Sequence, residues 1–445
     1  MGVQNNSAQA VDAITVSGPS GSGIFGFDND GLCTFVKVPC GATGYEGPGT
    51  SFQIDPSTGD RGEVDFGNSG LAPNSPAYFS LEGALDAASL TARRGHLGDR
   101  YVALGDSYAS GEGASSFDFS TNIPGVNMCH RATNGWVQKV AKAANLGAPD
   151  FAACSGALID DLYAPSLING NDAPVAGNVR EKAQLDHLNT VGPGASTPPK
   201  LVTLSLGGNN IGFPDVLADC IVGPPGTPGK PDCAGRDARR KGHGTTVQDA
   251  IGWLTGTGRP AGCHDLPGIA QLTGRPEQIC GSAPPLHQVY EDILSRMAPG
   301  GKLLVLGYPQ LFTQTPHSQL FGGPSVACRV ATVNLPGTLH LDVSSGDVVW
   351  LNRNALKLDS TINSEVNLAS YWATTKKISA TVQYVSVDSS FKDHRLCDQA
   401  PWINPLILHF PDPTIFGKPE VDHLSFHPND SGQVAQGVVM VAKLP

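Results

Sequence analysis

The stretch Tyr101-Val-Ala-Leu-Gly-Asp-Ser-Tyr-Ala-Ser-Gly-Glu-Gly113 decides how this chain of 445 residues folds. It begins with a continuous apolar run, which is typical of a strand buried on both faces of a parallel sheet. Gly105 and Asp106 end the run, and small residues follow Ser107. Open α/β sheets place their functional sites just beyond the carboxyl ends of such strands. The stretch therefore predicts a central parallel strand with Ser107 at a candidate site.

More apolar runs follow, separated by stretches with a helical pattern. The runs lie at Leu201–Leu206, Lys302–Leu306 and Val382–Val387. The helical stretches lie at Trp136–Ala144, Leu286–Met297, Leu351–Lys377 and Gly432–Ala442. Continuous apolar strands that alternate with helices indicate a parallel sheet sandwiched by helices. We therefore predict an α/β domain over residues 98–445.

Residues 12–80 follow a different pattern, rich in Gly, Ser, Asp and Pro. Short alternating pieces occur there at Ile14–Val16, Thr34–Val38 and Ser51–Ile54. Alternation bounded by turn residues predicts short antiparallel strands. We expect a small β-rich N-terminal domain over residues 1–90. The boundary should lie near residues 85–98, where Ala84–Thr91 is predicted to form a short linking helix.

Composition narrows the possible partners and the compartment. The formal net charge is −11, which argues against a nucleic-acid partner because nucleic-acid binding needs a basic face. No apolar run approaches the length of a transmembrane helix. The ten cysteines include no Cys-x-x-Cys motif and no zinc-like spacing with His, so we expect disulfides and an oxidising compartment. Residues 1–14 lack the basic and apolar segments of a secretory leader, so we expect a secreted protein whose leader has been removed.

Ser107 alone is a weak indication, because a serine there could simply be the N-cap of the next helix. Further segments strengthen the functional interpretation: Ala153-Cys-Ser-Gly-Ala157, Ser205-Leu-Gly-Gly-Asn-Asn210 and Ser425-Phe-His-Pro-Asn429. Together with Gly105–Tyr108 they resemble, in order, the sequence blocks of the SGNH (GDSL-like) hydrolases. The resemblance is strongest to secreted actinobacterial lipases, phospholipases A1 and esterases, and it covers residues 98–445.

This resemblance implies a role for each block. Ser107 would be the nucleophile and His427 the base that activates it, because a serine hydroxyl attacks poorly until an imidazole takes its proton. The N–H groups of Ser107 and Gly156 and the side chain of Asn209 would form an oxyanion hole, which stabilises the tetrahedral intermediate. The implied activity is hydrolysis of lipid, phospholipid or other acyl esters through an acyl-serine. We expect no cofactor, no metal and a monomer.

The chain departs from the family pattern where the group that orients the histidine is expected. The family usually has Asp three residues before the catalytic His, and this chain has Leu424 there. Either a backbone carbonyl near Leu424 or Ser425 orients His427, as in some actinobacterial relatives, or Asp422 reaches it. We favour the carbonyl, because the offset of Asp422 changes the direction of its side chain, and a carbonyl can hold Nδ1–H without a charge.

Other polar residues near the blocks receive ordinary interpretations. Asn210 stands where the family commonly has Asp, which leaves the contacts that support Asn209 open. Asp106 and Glu112 could polarise the site, but carboxylates near a helix start are commonly just capping partners, which is the interpretation we favour. His130 is expected to have a polar role in a loop and not to bind a metal. His423 lies close to His427, but Pro-Asn follows only His427, which is therefore the expected base.

The resemblance also implies how the cysteines pair. The expected bridges join Cys33 to Cys40, Cys129 to Cys154, Cys220 to Cys233, Cys263 to Cys280 and Cys328 to Cys397. The bridge at Cys154 would tether the loop of the oxyanion glycine. Residues 220–283 are expected to form an insertion above the strand ends that shapes substrate access.

An alternative class of function is a non-catalytic surface or carbohydrate-binding protein that uses a hydrolase scaffold. In that case the N-terminal β-rich region would be the dominant part. A decayed site should have lost members, however, and this chain keeps Ser107, Gly156, Asn209 and His427. The sequence therefore favours an ester hydrolase, and it does not choose among lipase, phospholipase A1 and polysaccharide deacetylase.

Overall fold

A computed structural model of the chain contains an antiparallel sheet before residue 100 and a parallel sheet after it. The structure describes residues 1–7, 11, 13–19, 21, 23–24, 50–54, 60–66, 70–81, 89–93, 100–123, 127–144, 146, 148–164, 181–189, 198–221, 233, 246–257, 263–266, 277–280, 284–313, 327–335, 337–409 and 420–444. Each sheet has its own cluster of buried hydrophobic residues.

The N-terminal region is built of short strands. They are β1 (Gly2–Gln4), β2 (Ala13–Ser17), β3 (Ser51–Ile54), β4 (Arg61–Asp65), β5 (Pro76–Tyr78) and β6 (Ser89–Arg93). Strands β3, β4, β2 and β6 form an antiparallel sheet in that order, and β1 pairs with β5. The predicted strands at Ile14–Val16 and Ser51–Ile54 are confirmed, whereas Thr34–Val38 lies outside the described residues.

The linking helix predicted over Ala84–Thr91 is wrong where the structure describes it. Residues 89–93 form β6, which pairs antiparallel with β2. In this register Leu90 lies opposite Val16 and Ala92 lies opposite Ile14. Alternating residues of this segment thus meet the buried residues of β2, so pairing with a neighbouring strand outweighs the local helical preference.

The strands after residue 100 include the predicted apolar runs. They are β7 (Arg100–Gly105), β8 (Asp150–Phe151), β9 (Pro199–Ser205), β10 (Cys263–Leu266), β11 (Glu277–Cys280), β12 (Lys302–Leu306), β13 (Ala327–Leu335), β14 (Gly337–Ser344), β15 (Thr381–Val385), β16 (Leu408–His409) and β17 (Glu420–Val421). A parallel sheet has the order β15-β12-β9-β7-β8. The predicted α/β fold, with an SGNH-like parallel sheet at its centre, is therefore confirmed.

Helices share one hydrophobic core with this sheet. They are α1 (Ser107–Ser110), α2 (Trp136–Ala144), α3 (Phe213–Ile221), α4 (Val247–Trp253), α5 (Leu286–Leu294), α6 (Ser345–Thr375) and α7 (Asp430–Val441). Helix α2 packs against α7, and α5 packs against α6. In the part of the chain that is described, no helix is long and apolar enough to cross a membrane.

The segment after Cys328 contains a hairpin that the sequence interpretation missed. Strands β13 and β14 pair antiparallel directly before α6 begins. The helix itself starts before the predicted Leu351, because Ser344 caps it by accepting the N–H of Asp347 at 3.1 Å. The region between the last strands of the sheet is thus a hairpin followed by a helix.

The structure forms the expected bridges Cys129–Cys154, Cys220–Cys233 and Cys328–Cys397. The backbones of Cys263 and Cys280 lie directly opposite each other in the β10–β11 pair. The expected Cys33–Cys40 bridge lies outside the described residues. These pairs accord with the disulfide interpretation of the cysteines.

Candidate active site

Ser107 occupies the first position of α1, immediately after the turn that ends β7. The side chain of Asp106 caps this helix by accepting the N–H of Tyr108 at 3.0 Å. The alternative in which Ser107 is only an N-cap is therefore wrong. At the first helical position, the N–H of Ser107 has no acceptor within the helix. Ser107 thus combines a hydroxyl with a backbone donor that its own helix does not use, at the end of the central strand.

The imidazole of His427 meets this hydroxyl from a loop far along the chain. Nε2 of His427 lies 2.9 Å from Oγ of Ser107, although the two residues are 320 positions apart. Burial lowers the pKa of His427 below its ordinary value of 6.5. The imidazole is therefore neutral near pH 7, the state in which Nε2 can accept a proton.

Close packing fixes the loop that carries His427. Phe426 adopts a left-handed backbone with φ of 63°, and its carbonyl accepts the hydroxyl of Tyr108 at 3.1 Å. The carbonyl of His427 accepts the backbone N–H of Asn404 at 2.9 Å. Gly113 has φ of +93°, and a Cβ there would lie 2.8 Å from the Cβ of His427. Glycine is therefore required at position 113 for the loop to approach the serine segment.

The structure does not bring the side chain of Asp422 onto the imidazole as a hydrogen-bond partner. Nδ1 of His427 is buried and makes no hydrogen bond to the described residues. Oδ1 of Asp422 accepts the N–H of Leu424 at 2.7 Å and lies 3.6 Å from Nδ1 of His423. Asp422 thus faces the start of its own loop and the neighbouring histidine.

Backbone carbonyls remain the candidates for orienting His427. The Leu424 carbonyl accepts the side-chain amide of Asn404 at 3.2 Å and the N–H of His427 at 3.3 Å, so it already has donors. Burial lowers the pKa of His427, and the backbone groups of His423 and Ser425 oppose this decrease. Nδ1 makes no hydrogen bond to the described residues, so the orienting role of a carbonyl stays a prediction.

The loop with Gly156 lies against the end of β7. Cys154 donates its N–H to the carbonyl of Gly105 at 3.0 Å, and its disulfide to Cys129 ties the loop from the other side. Gly156 has φ of +79°, a left-handed conformation that glycine adopts without strain. The loop of the predicted oxyanion glycine is thus held next to the segment of Ser107.

Asn209 and Asn210 connect the third block to this same loop. Nδ2 of Asn209 donates to the carbonyl of Ala157 at 3.1 Å, and its second hydrogen remains for another acceptor. Oδ1 of Asn210 accepts the N–H of Ile159 at 3.2 Å. This contact ties the residue after Asn209 to the segment that follows the loop of Gly156.

Tyr308 was not identified from the sequence. Its hydroxyl donates to Oδ2 of Asp106 and accepts the N–H of Gly208 at 3.0 Å, so it joins the serine turn to the block of Asn209. Burial raises the pKa of Asp106 to about 7, while the hydrogen bond from Tyr308 opposes that rise. Only its position in the sequence could have indicated Tyr308. It follows the apolar run Lys302–Leu306, and it therefore lies at the same edge of the sheet as Ser107.

A cluster of Glu112, His130 and His423 lies beside the site. Oε2 of Glu112 lies 2.8 Å from Nδ1 of His130, and Oε1 lies 3.4 Å from Nε2 of His423. The two imidazole rings are stacked, with centroids 4.0 Å apart and 27° between their planes. Glu112 is therefore more than the capping partner that the sequence predicted, because its side chain contacts both histidines.

The residue types of this cluster also occur in metal sites, and their ligand atoms lie within 4.8 Å of one another. The contacts shown are those of a hydrogen-bonded cluster, because Nδ1 of His130 lies 2.8 Å from Oε2 of Glu112. The absence of a metal at this cluster stays a prediction.

Comparisons with known proteins point to lipases. No protein-family model matches the chain. A curated lipase from Streptomyces rimosus is 25% identical over 359 residues, which are 80% of this chain and 88% of that protein. The crystal structure of the extracellular lipase from Streptomyces rimosus has 24% identity and a TM-score of 0.44, and the match covers 77% of this chain and 98% of that one.

A phospholipase A1 from Streptomyces albidoflavus NA297 gives similar values: 23% identity, a TM-score of 0.42, and coverage of 78% of this chain and 98% of that one. The sequence blocks resemble those of secreted actinobacterial lipases, and the curated Streptomyces relative is named as a lipase. The resemblance inferred from the blocks is thus confirmed by a relative that matches most of the chain. It supports an ester-hydrolase function.

Proposed function

We propose that this chain is a secreted serine carboxylic-ester hydrolase that forms an acyl intermediate on Ser107. The 2.9 Å contact between Nε2 of His427 and Oγ of Ser107 carries the proposal. This contact joins a nucleophile to a base at the carboxyl edge of the parallel sheet, where α/β proteins bind their substrates. The similarity to a Streptomyces lipase over most of the chain supports it independently.

In the first half of the reaction, His427 takes the proton of Ser107 as the serine oxygen attacks the ester carbonyl. The tetrahedral intermediate then collapses and expels the alcohol, which receives the proton from His427. In the second half, His427 activates a water that attacks the acyl-serine. The acid leaves and Ser107 regains its proton. Each step needs a neutral base and then a charged acid, and one imidazole can serve as both.

The negative oxygen of the intermediate needs preorganised donors. We assign this role to the N–H groups of Ser107 and Gly156 and to the free hydrogen on Nδ2 of Asn209. Such donors act without reorganisation at the moment of reaction, and losing one typically costs about 10²–10³ in rate. Tyr308 and the bridge at Cys154 hold the segments that carry these donors.

The substrate class that we propose is acyl esters of lipids. A curated relative that matches 80% of this chain is named as a lipase, which favours lipid esters. A non-catalytic binding protein would not need a buried imidazole in hydrogen-bond contact with a serine. The proposal therefore sets the binding-protein alternative aside.

We further propose that residues 1–90 and 98–445 are separate domains, and that the protein is secreted. Buried hydrophobic residues of the N-terminal strands form one cluster, which includes Val16 and Val64. Those around the parallel sheet form another, which includes Leu104 and Leu304. The disulfides of the later region favour an oxidising compartment.

The nucleophile can be tested with a short-chain p-nitrophenyl ester and a matched pair of serine variants. Ser107→Ala should abolish nitrophenol release while the thermal midpoint stays close to that of the parent. Ser110→Ala is the control, because Ser110 lies on the same short helix and is also buried. It should keep most of the activity. Activity in folded Ser107→Ala, or a phosphonate adduct on Ser110 instead of Ser107, would disprove the assignment.

The substrate class needs a separate experiment. We would incubate the parent and Ser107→Ala with triacylglycerols, phospholipids and acetylated glycans, and identify the products by mass spectrometry. Fatty acid released only by the parent would support the lipid proposal. Acetate released only from glycans would contradict it and leave the serine mechanism standing.

A further inference from the structure

Glu112 is completely buried, and the residue that follows it, Gly113, packs against His427. We propose that Glu112 is a positioning residue whose carboxylate supplies the negative charge that faces the His427 imidazolium. It would replace the aspartate that SGNH enzymes usually have at the position of Leu424. This inference rests on the proposed function, because the imidazolium forms when His427 takes the serine proton.

Backbone contacts hold Glu112 next to the reacting pair. Its N–H donates to the carbonyl of Ser107 at 3.0 Å, just after α1 ends. The next residue, Gly113, packs against His427 so closely that a Cβ there would lie 2.8 Å from the Cβ of His427. Glu112 is thus fixed between the helix of the nucleophile and the loop of the base.

His130 holds the carboxylate of Glu112 from the side of the cluster. Nδ1 of His130 lies 2.8 Å from Oε2 of Glu112, and both side chains are buried. This contact uses one carboxylate oxygen of Glu112 and leaves Oε1 without a hydrogen bond to the described residues. The carboxylate of Glu112 is therefore fixed in place while Oε1 stays available to a neighbouring positive charge.

The other groups near His427 do not provide this charge. His423 is 40% exposed, and its positive charge lowers the pKa of His427, whereas Glu112 raises it. Asp422 lies against His423 and Leu424. The ring of Tyr108 lies 5.4 Å from that of His427, and burial raises the pKa of Tyr108 so that it stays neutral. Glu112 is thus the anion whose charge acts on the imidazole.

The reaction creates the need for such a charge. When Nε2 takes the serine proton, His427 becomes positive inside the protein, where a charge without an opposite partner is destabilised. Among the described residues, Nδ1 of His427 and Oε1 of Glu112 are both buried, and neither has a hydrogen-bond partner. A carboxylate attracts a positive imidazole through space, without a direct bond. The carboxylate would therefore stabilise the imidazolium through space.

A second buried glutamate provides a matched control. Oε2 of Glu365, on α6, lies in hydrogen-bond contact with Nδ1 of His287, on α5, at 2.7 Å. We would compare Glu112→Gln with Glu365→Gln, measuring kcat and the pH dependence of kcat/KM on a short acyl ester. Glu112→Gln should lower kcat about tenfold, because imidazolium stabilisation equal to about one pKa unit corresponds to a factor of ten in rate. Glu365→Gln should leave kcat within about twofold, since distant sites rarely couple.

The pH profile separates an electrostatic role from a structural one. Only neutral His427 acts as a base, so kcat/KM rises with pH through the pKa of His427 in the free enzyme. Removing the negative charge lowers that pKa, so Glu112→Gln should move the acidic limb about one unit to lower pH. Glu365→Gln should not move it. A lower kcat with an unmoved limb, or the same movement in both variants, would overturn the inference.

If Glu112→Gln does not fold, a substitution of the partly exposed His423 tests how neighbouring charges affect the pKa of His427. His423→Gln removes a positive charge, so it should raise the pKa of His427 and move the acidic limb about half a unit to higher pH. An unmoved limb would count against the inference. So would a loss of kcat when the parent is treated with EDTA, because the cluster would then serve a bound metal.

An NMR titration of the His427 ring separates this inference from the proposed function. It reads the pKa of His427 in the parent and in Glu112→Gln without any substrate. A lower pKa in the variant would support the charge coupling even if the parent proved inactive on esters. An unchanged pKa would overturn the coupling even if the parent were a fully active esterase.

Discussion

Ser107 and His427 meet at one hydrogen bond but are held in place by different means. The serine is positioned by local features: Asp106 caps its helix, and Gly105 takes φ of +125° where β7 passes Ser205. The histidine is positioned by distant ones, since Tyr108 and Asn404 bind the backbone of its loop from other parts of the chain. A mutation can therefore disrupt the serine turn or the histidine loop without disrupting the other.

Removing the histidine side should have the largest effect. His427→Ala leaves the serine turn, its cap and the oxyanion donors in place, but no group takes the serine proton. We expect kcat to fall about 10²–10⁴-fold, the range that positioned acid–base catalysis contributes. Ester hydrolysis at pH 8 measures this loss. His423→Ala is the control and should be mild; a severe loss there with little loss in His427→Ala would reverse the assignment.

Removing one oxyanion donor weakens the serine side without touching the base. Asn209→Ala should lower kcat about 10²–10³-fold, because one preorganised donor to the developing oxyanion disappears. KM should change little, since the donor acts mainly on the intermediate. Steady-state kinetics on a chromogenic ester tests this. If KM rose and kcat were unchanged, Asn209 would bind substrate and not the oxyanion.

Gly113 tests the contact between the two sides. Gly113→Ala places a Cβ 2.6 Å from the Pro428 carbonyl, so the loop of His427 must shift. We expect kcat to fall about 10–100-fold, as small misplacements of catalytic groups do. Gly300→Ala is the matched control: it also has positive φ, at +72°, but nothing lies within 4 Å of the added Cβ.

Both glycine variants should lose about 1–2 kcal/mol of stability from the left-handed conformation. Chemical denaturation measures this loss, and kinetics measures kcat. If the two variants lost kcat equally, backbone strain and not the contact with His427 would be the cause.

The smallest effect should come from Asp422. Asp422→Asn keeps an Oδ1 that can accept the N–H of Leu424, and the side chain makes no hydrogen bond to Nδ1 of His427. We expect kcat within a few-fold of the parent. If Asp422 were a triad acid, the loss would approach the roughly 10⁴-fold known for that substitution in the serine-protease template. Steady-state kinetics together with the thermal midpoint decides between the two.

The sequence allowed the sheet to be predicted because burial leaves a local pattern. Continuous apolar residues marked β7, β9, β12 and β15, and the blocks at their ends marked candidate site residues such as Ser107 and Asn209. The helix expected at Ala84–Thr91 failed because pairing with β2 is not visible in the segment itself. Local periodicity indicates which residues are buried. It does not indicate which other parts of the chain they pack against.

The supporting contacts of the site were missed for the same reason. Tyr308 reaches Asp106 across 202 positions, and Asn404 reaches Gly113 across 291. Glu112 and His130 lay next to recognisable blocks, and each had an ordinary local explanation. Their meeting depends on the three-dimensional fold, so a single sequence without its structure could not reveal it.

The separation of 320 positions between Ser107 and His427 also bears on how the protein becomes active. Contacts between residues far apart in sequence form late in folding, because closing a long loop costs entropy before the contact is gained. A partly folded chain would present the serine, its helix and the sheet while lacking the base. Hydrolytic activity should therefore return last during refolding, after helical and strand signals have recovered, and it would report on completion of the whole fold.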